Sequence, residues 1–276
     1  MRLCGEVDSA RSLGLHDHVC WVYDDPGEFH WRALEFLSDG LAQGQRVRYL
    51  THGDGDELLH VLESAPGVAS ALRSGAAQVH QLAEGDTAAS AAQLRTLAAA
   101  THEALAEGYT GFRVAAEATG SVCKLKQPAE YARYEHLVDL YTTREPFAAL
   151  CAYDRRAIGT DLAAQFACLH PAGNADITPF RLHACRNADI ALSGELDLSC
   201  HDLLCRALER VDPHPQGGEL VIDATGLTFV DHRSLFRLAE FAQRRGATVA
   251  LRTNQSAPAR LVEILDIPAV RVEWVE

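Results

Sequence analysis

Residues 218–246, GELVIDATGLTFVDHRSLFRLAEFAQRRG, leave the chain little freedom in how it folds there. Leu220, Val221 and Ile222 form a short apolar, β-rich run that suits a buried strand. Asp223 to Gly226 is polar and turn-rich, and Leu227 to Val230 returns to apolar and β-branched residues. Asp231 stands where a helix N-cap belongs, because its carboxylate can accept the free first-turn N–H groups. Leu235, Leu238, Ala239 and Ala242 follow at i, i+3, i+4 and i+7, one apolar face, and Gly246 ends the helix as a C′ glycine. The stretch predicts a strand, a short loop and a helix.

The run 223–235, DATGLTFVDHRSL, resembles the core of the STAS domain of anti-sigma factor antagonists and sulphate-transporter tails, roughly D-x-[ST]-G-[VL]-x-F-[IV]-D-S-[SA]-G-[LV]. The match holds as far as Asp231. In the antagonists the next residue is the Ser that is phosphorylated; here it is His232, and the family's Gly two places on is Ser234. The resemblance implies a STAS fold and a partner-binding switch region around Asp231, His232, Arg233, Ser234 and Arg237, but the phospho-switch does not carry over directly. Arg233, Arg237 and Arg244 fall on one helix stripe, a solvated face or one that meets an acidic partner.

At 276 residues the chain has room for two domains. The formal net charge of −13 argues against nucleic-acid binding, which favours a basic face. Residues 1–176 carry net −10 and residues 177–276 net −3, so the acidity belongs to the first half. The eight cysteines are scattered from Cys4 to Cys205 with no CxxC, the pattern of reduced cytosolic thiols. No stretch approaches the roughly 18–20 apolar residues of a membrane helix, and the first residues, MRLCGEVDSARSLG, lack the apolar core of a signal peptide. The expectation is a cytoplasmic protein without membrane contact.

Residues 1–15 read as a tail. His18–Tyr23, HVCWVY, is the first strand, followed by a helix with Asp25 as N-cap, Pro26 at the first helical position and Glu28 completing a capping box. Further strands are read at 46–51, 76–82, 110–116 and 147–153, with helices at 87–107 and 129–143 and a last one running to about Leu169. Strands alternating with helices imply a parallel sheet covered on both faces. The polar, proline-bearing stretch 171–179 reads as a linker between a domain at 16–170 and one at 180–276. Each half has its own periodic core and is expected to fold separately if cut near Asn174.

HVCWVYDDPGEF, FLSDGLAQGQRVRYLTHGD, GFRVAAEATG and LCAYDRRAIG, with His170-Pro171 beyond, together resemble the MEDS domain, the methanogen/methylotroph sensory domain of DcmR-type regulators. The resemblance covers most of residues 16–171 and rests on order and spacing. It implies a degenerate RecA- or KaiC-like α/β fold that senses small molecules, with hydrocarbon derivatives as proposed ligands.

A phosphate-binding P-loop needs GxxxxGK[ST], yet neither lysine, Lys124 or Lys126, follows a glycine, and the first loop, DDPGE, would repel a triphosphate. In an open parallel sheet ligands bind beyond the carboxyl ends of the strands. That places Tyr23, Asp24, His52, Glu117, Tyr153 and Asp154 as candidates to line a largely apolar site, although loop carboxylates are commonly just solvated and strand aromatics just core. His18 and Cys20, at i and i+2, share a strand face, and Cys151, Cys168 and His170 could join them around Zn²⁺. None of these has a recognised metal-site spacing, and buried Cys is often a small hydrophobe, so no metal or other cofactor is expected.

The reading is therefore an α/β protein of two domains without catalysis: a small-molecule sensory domain that controls a STAS domain binding an anti-sigma factor or related kinase, in transcription regulation. The alternatives are an enzyme or nucleotide-binding protein using the strand-end carboxylates, and an interaction scaffold whose sensory domain no longer functions.

Overall fold

The computed structural model describes residues 2–51, 56–82, 91–124, 128–215 and 217–275. Among these, seven parallel strands form the first sheet: β1 (Gly5–Glu6), β2 (His18–Tyr23), β3 (Arg46–Thr51), β4 (Ala77–Gln81), β5 (Phe112–Glu117), β6 (Phe147–Asp154) and β7 (Ala172–Gly173), in the order β1-β7-β2-β6-β5-β3-β4. All of β2 is buried, and so is β6 up to its last residue, which is why both read as continuous apolar runs. The helices are α1 (Pro26–Ala42), α2 (Asp56–Ser64), α3 (Pro66–Ser74), α4 (Ala91–Ala106), α5 (Thr119–Lys124), α6 (Pro128–Thr142), α7 (Arg155–Ile158) and α8 (Thr160–Ala167). Asp25 caps α1 through Gly27 N at 3.0 Å. Glu28 does not complete a capping box; its carboxylate accepts from the Trp21 indole at 3.2 Å.

Strand alternation divides the core. Val19, Trp21 and Tyr23 of β2 and Ala148, Leu150 and Ala152 of β6 face α1 and α3. His18, Cys20 and Val22, with Phe147, Ala149, Cys151 and Tyr153, face α4, α6 and α8. On the first face Arg113 is fully buried, donating to Gln45 at 2.6 Å, Phe36 O at 3.0 Å and Leu13 O at 2.5 Å.

The second sheet has β8 (Phe180–His183) antiparallel to β9 (Ile190–Leu196), then β10 (Glu219–Val230), β11 (Thr248–Thr253) and β12 (Val270–Trp274) in parallel, in the order β12-β11-β10-β9-β8. Its helices are α9 (His201–Val211), α10 (His232–Gln243) and α11 (Ser256–Ile264). The polar stretch read as a loop at 223–226 is an irregularity inside one long strand, β10, where the register against β9 shifts. A Cβ on Gly226 would lie 2.7 Å from the Ser193 Cβ, so the glycine lets the two strands approach. The Asp223 carboxylate accepts from Thr225 N at 3.0 Å and Oγ1 at 2.7 Å, which holds the shift in place. Asp231 caps α10 through Ser234 N at 2.7 Å, and Gly246 takes the left-handed φ of +69° beyond its end.

The stretches expected to be a tail and a linker are packed. Ala10 and Leu13 are buried, and β1 pairs with β7. β7 falls inside the expected linker and pairs with β2, because Asn174 locks it by accepting from Val22 N at 2.9 Å and donating to Val22 O at 2.7 Å. Leu182 N donates to Cys168 O at 2.6 Å, and α9 packs on α6 and α8, so one buried apolar cluster runs from Phe166 and Leu169 into Phe180, Leu204 and Leu208. Cutting the chain after Asn174 is then expected to expose apolar surface on both pieces, read as aggregation or dye binding of each fragment. Two soluble pieces that unfold cooperatively would mean the shared core is dispensable.

Candidate functional site

The polar centre of the molecule lies on the α6 face of the first sheet. Period-2 alternation along β2 and β6 sends His18 and Cys151 inward, and α6 delivers Glu135 and Asp139 at i and i+4 onto the same face. His170, in the turn after α8, completes the group. All five side chains are buried. His18 Nδ1 donates to Asp139 at 2.9 Å, and His170 Nδ1 donates to Phe166 O at 2.9 Å. The Tyr153 hydroxyl donates to Glu135 Oε1 at 2.8 Å. The Cys151 thiol lies 3.4 Å from both Glu135 Oε2 and His18 Nε2.

Asp139 reaches outward from this cluster. Its Oδ2 accepts from Ala184 N, just beyond β8, at 2.6 Å, and its Oδ1 receives the Arg2 guanidinium. Burial works against the charge on Asp139, but Arg2 and His18 hold its carboxyl well below the usual range. Burial likewise opposes the charge on Glu135, and His170 and His18 hold it low. The Cys151 thiol is pushed well above its ordinary value by burial and then by Glu135. The pKa of His170 is lowered by burial and by His18.

Of the residues named for a metal, His18, Cys151 and His170 come together; Cys20 shares their sheet face but is not part of the group. Glu135 takes that place, and sequence reasoning missed it. The signal was present: Tyr131, Glu135, Val138, Asp139 and Thr142 form one helical stripe, and two of its members are acidic.

The strand-end residues divide differently. Tyr23 donates to Glu117 at 3.1 Å on the α1 side, while Tyr153 faces α6 and stacks on Phe166, so the two tyrosines do not share a site. Parallel pairing sets Tyr153 opposite Val22, which reverses its facing relative to Tyr23. Asp24 is held by Arg155, and Asp154 caps α7 and binds Arg156 at 2.8 Å. His52 lies outside the described residues. Glu117 also borders a narrow cavity of about 30 Å³ with Leu97, Val114, Tyr131 and Cys151. A larger one, about 560 Å³, opens between the two sheets and is lined by Arg2, His16, His183, Arg186, Ser193 and Thr225.

Around the residues expected to form a partner-binding switch, His201 donates to Asp231 at 3.0 Å, His232 and Arg233 are exposed, and Arg237 pairs with Glu240 at 2.9 Å. Ser234 is fully buried, because it lies on the inward stripe of α10 with Leu235, Leu238 and Ala242.

Removing a buried charge strands its partners. Asp139→Ala is expected to cost about 3–5 kcal/mol in chemical denaturation, since buried His18 and Ala184 N lose their acceptor and Arg2 loses its carboxylate. Glu117→Gln, at the partly open sheet end, is expected to cost about 1 kcal/mol or less. Equal costs would remove Asp139 from its central place.

No helix among the described residues is long and apolar enough to cross a membrane. The sequence profile described as MEDS, MEthanogen/methylotroph, DcmR Sensory domain, matches residues 17–171. The profile described as Mlab, STAS domain, matches residues 183–271. No curated protein matches the chain. A sensory domain followed by a STAS domain is the make-up of a signalling or regulatory protein, and both are types typical of non-catalytic regulators. With more than half its length in the first match, the chain belongs to the MEDS family, carrying a STAS domain behind the sensory one.

Proposed function

We propose that this chain is a non-catalytic cytoplasmic regulator in which the MEDS domain senses a small molecule and thereby sets how the STAS domain binds an anti-sigma factor or related kinase. The observation that carries the reading is the surface at the start of α10. His232 and Arg233 are exposed there beside Phe229 and Phe236, which are 48% and 38% exposed. Phe229, Asp231, His232 and Arg260 line a groove of about 440 Å³ between the end of β10 and α11. Exposed aromatics beside a charged rim are the anatomy of a protein-docking surface.

Phosphorylation is not the gate in this reading. His232 replaces the family's phosphorylated residue, and Ser234, the nearest hydroxyl on α10, is out of a kinase's reach in the folded chain. Control comes from the sensory domain through the contacts of Asp139 and the cavity of about 560 Å³ between the sheets. That volume lies in the range of small-molecule sites, and its lining comes from both domains, so a ligand there would touch both.

The test uses purified anti-sigma kinases from the source organism and calorimetric binding to the full chain. Phe236→Asp and Arg237→Glu are expected to weaken binding by about tenfold, the equivalent of about 1.4 kcal/mol, with thermal stability nearly unchanged because both sites are exposed. A small-molecule panel should yield a stabilising ligand whose effect Ser193→Phe abolishes by filling the cavity. Unchanged kinase binding in both variants would refute the docking surface, and a ligand indifferent to Ser193→Phe would refute the cavity.

A further inference from the structure

We propose that His18, Glu135, Cys151 and His170 form a closed, four-coordinate binding site for Zn²⁺ in the core of the sensory domain. The inference stands apart from the proposed function and rests on the geometry of four atoms. His18 Nε2, His170 Nε2 and Cys151 Sγ each lie 3.4 Å from Glu135 Oε2, and Cys151 Sγ lies 3.4 Å from His18 Nε2. All four ligand atoms are within 4.8 Å of one another. Zn²⁺ bonds to N, O and S of about 2.0–2.3 Å give a regular tetrahedron with edges of about 3.3–3.8 Å. Four of the six edges here already have that length.

The outer partners aim these atoms inward. Each imidazole spends its Nδ1–H on an acceptor outside the group, Asp139 for His18 and Phe166 O for His170. Each Nε2 therefore turns its lone pair to the centre when the ring is neutral. The carboxylate–histidine pair formed by Asp139 and His18 is the arrangement that fixes ring orientation in metal sites. Glu135 is oriented in the same way, since Tyr153 occupies its other oxygen.

A hydrogen-bonded core would account for the group less well. Even with His18 protonated and its Nε2–H serving Glu135 Oε2, the His170 Nε2 lone pair faces that same oxygen with no proton between them. His170 Nε2 is fully buried, has no hydrogen-bond partner and points at a carboxylate oxygen. Its lone pair calls for a cation. Two imidazoles and a thiolate favour Zn²⁺ over the hard cations Mg²⁺ and Ca²⁺, which prefer all-oxygen shells. Four protein ligands in a fully buried site leave no open position for substrate, so the ion would be structural.

The test is metal analysis of the full chain, purified without a histidine tag. About one Zn²⁺ per chain is expected, with an X-ray absorption shell of one sulfur at about 2.3 Å and the remaining N/O ligands at about 2.0–2.2 Å. After chelation, Co²⁺ should give visible bands of tetrahedral intensity and a thiolate charge-transfer band. Cys151→Ser should remove the charge-transfer band, and a Cys4→Ser, Cys123→Ser double variant, which alters only exposed thiols, should keep it. Trace metal in the wild type, a shell without sulfur or with several sulfurs, or a charge-transfer band that follows the exposed cysteines would each overturn the site. The absorption shell is read on the unmodified chain, so a Cys151 variant that fails to fold does not shelter the proposal.

Discussion

The carboxylate of Asp139 is the point where the chain's parts meet. It accepts from β2 through His18, from the first residues through Arg2 and from the start of the second domain through Ala184 N. A charge in the interior is tolerated only when its partners are in place, so each of these segments must dock for the others to be stable. Around the same junction β1 pairs with β7 and β7 with β2, so the first residues and the stretch 171–179 are tied into the first sheet. The apolar cluster that runs from α8 into α9 gives the same junction its nonpolar stabilisation.

The two faces of the first sheet have been put to different uses. The α1 face is largely apolar; its buried Arg113 donates to Gln45, Phe36 O and Leu13 O, and its guanidinium lies 4.6 Å from the Phe36 ring. The α6 face carries the titratable cluster and is also the face covered by the STAS domain. A change of occupancy or charge in the cluster is therefore one side chain away from β8, through Asp139. The surface at His232 that we propose docks a partner lies on the same domain, reached from β8 through the β9–β10 ladder. This contiguity gives the sensory domain a physical route to the STAS domain.

Helix caps and buried strands are legible in the sequence because local physics sets them. Asp25 and Asp231 cap the helices they were expected to cap, and Gly246 has the left-handed backbone read for it. The buried strands HVCWVY and FAALCAY were legible from composition alone. What differs depends on contacts between elements, as with Glu28, whose carboxylate goes to the Trp21 indole instead of closing a capping box. Whether Tyr23 and Tyr153 share a face is fixed by the register of β2 against β6, which no single strand contains. The helical stripe of α6 marks Glu135 as inward-facing, but that it meets His18, Cys151 and His170 is settled only once α6 is laid on the sheet. The loop read at 223–226 became a register shift because Gly226 allows contact with Ser193, a residue on another strand.

If the domains are held as one unit through Asp139 and the shared core, their stabilities cannot be independent. Proteins open in cooperative units, and native-state hydrogen exchange reads the free energy of each. The direct measurement is exchange of the Ala184 amide and the β9–β10 amides alongside those of β2 and β6 in the intact chain under increasing denaturant. The account predicts that all converge on a single global opening free energy. Protection lost in the second sheet at a denaturant concentration where β2 and β6 stay closed would contradict it.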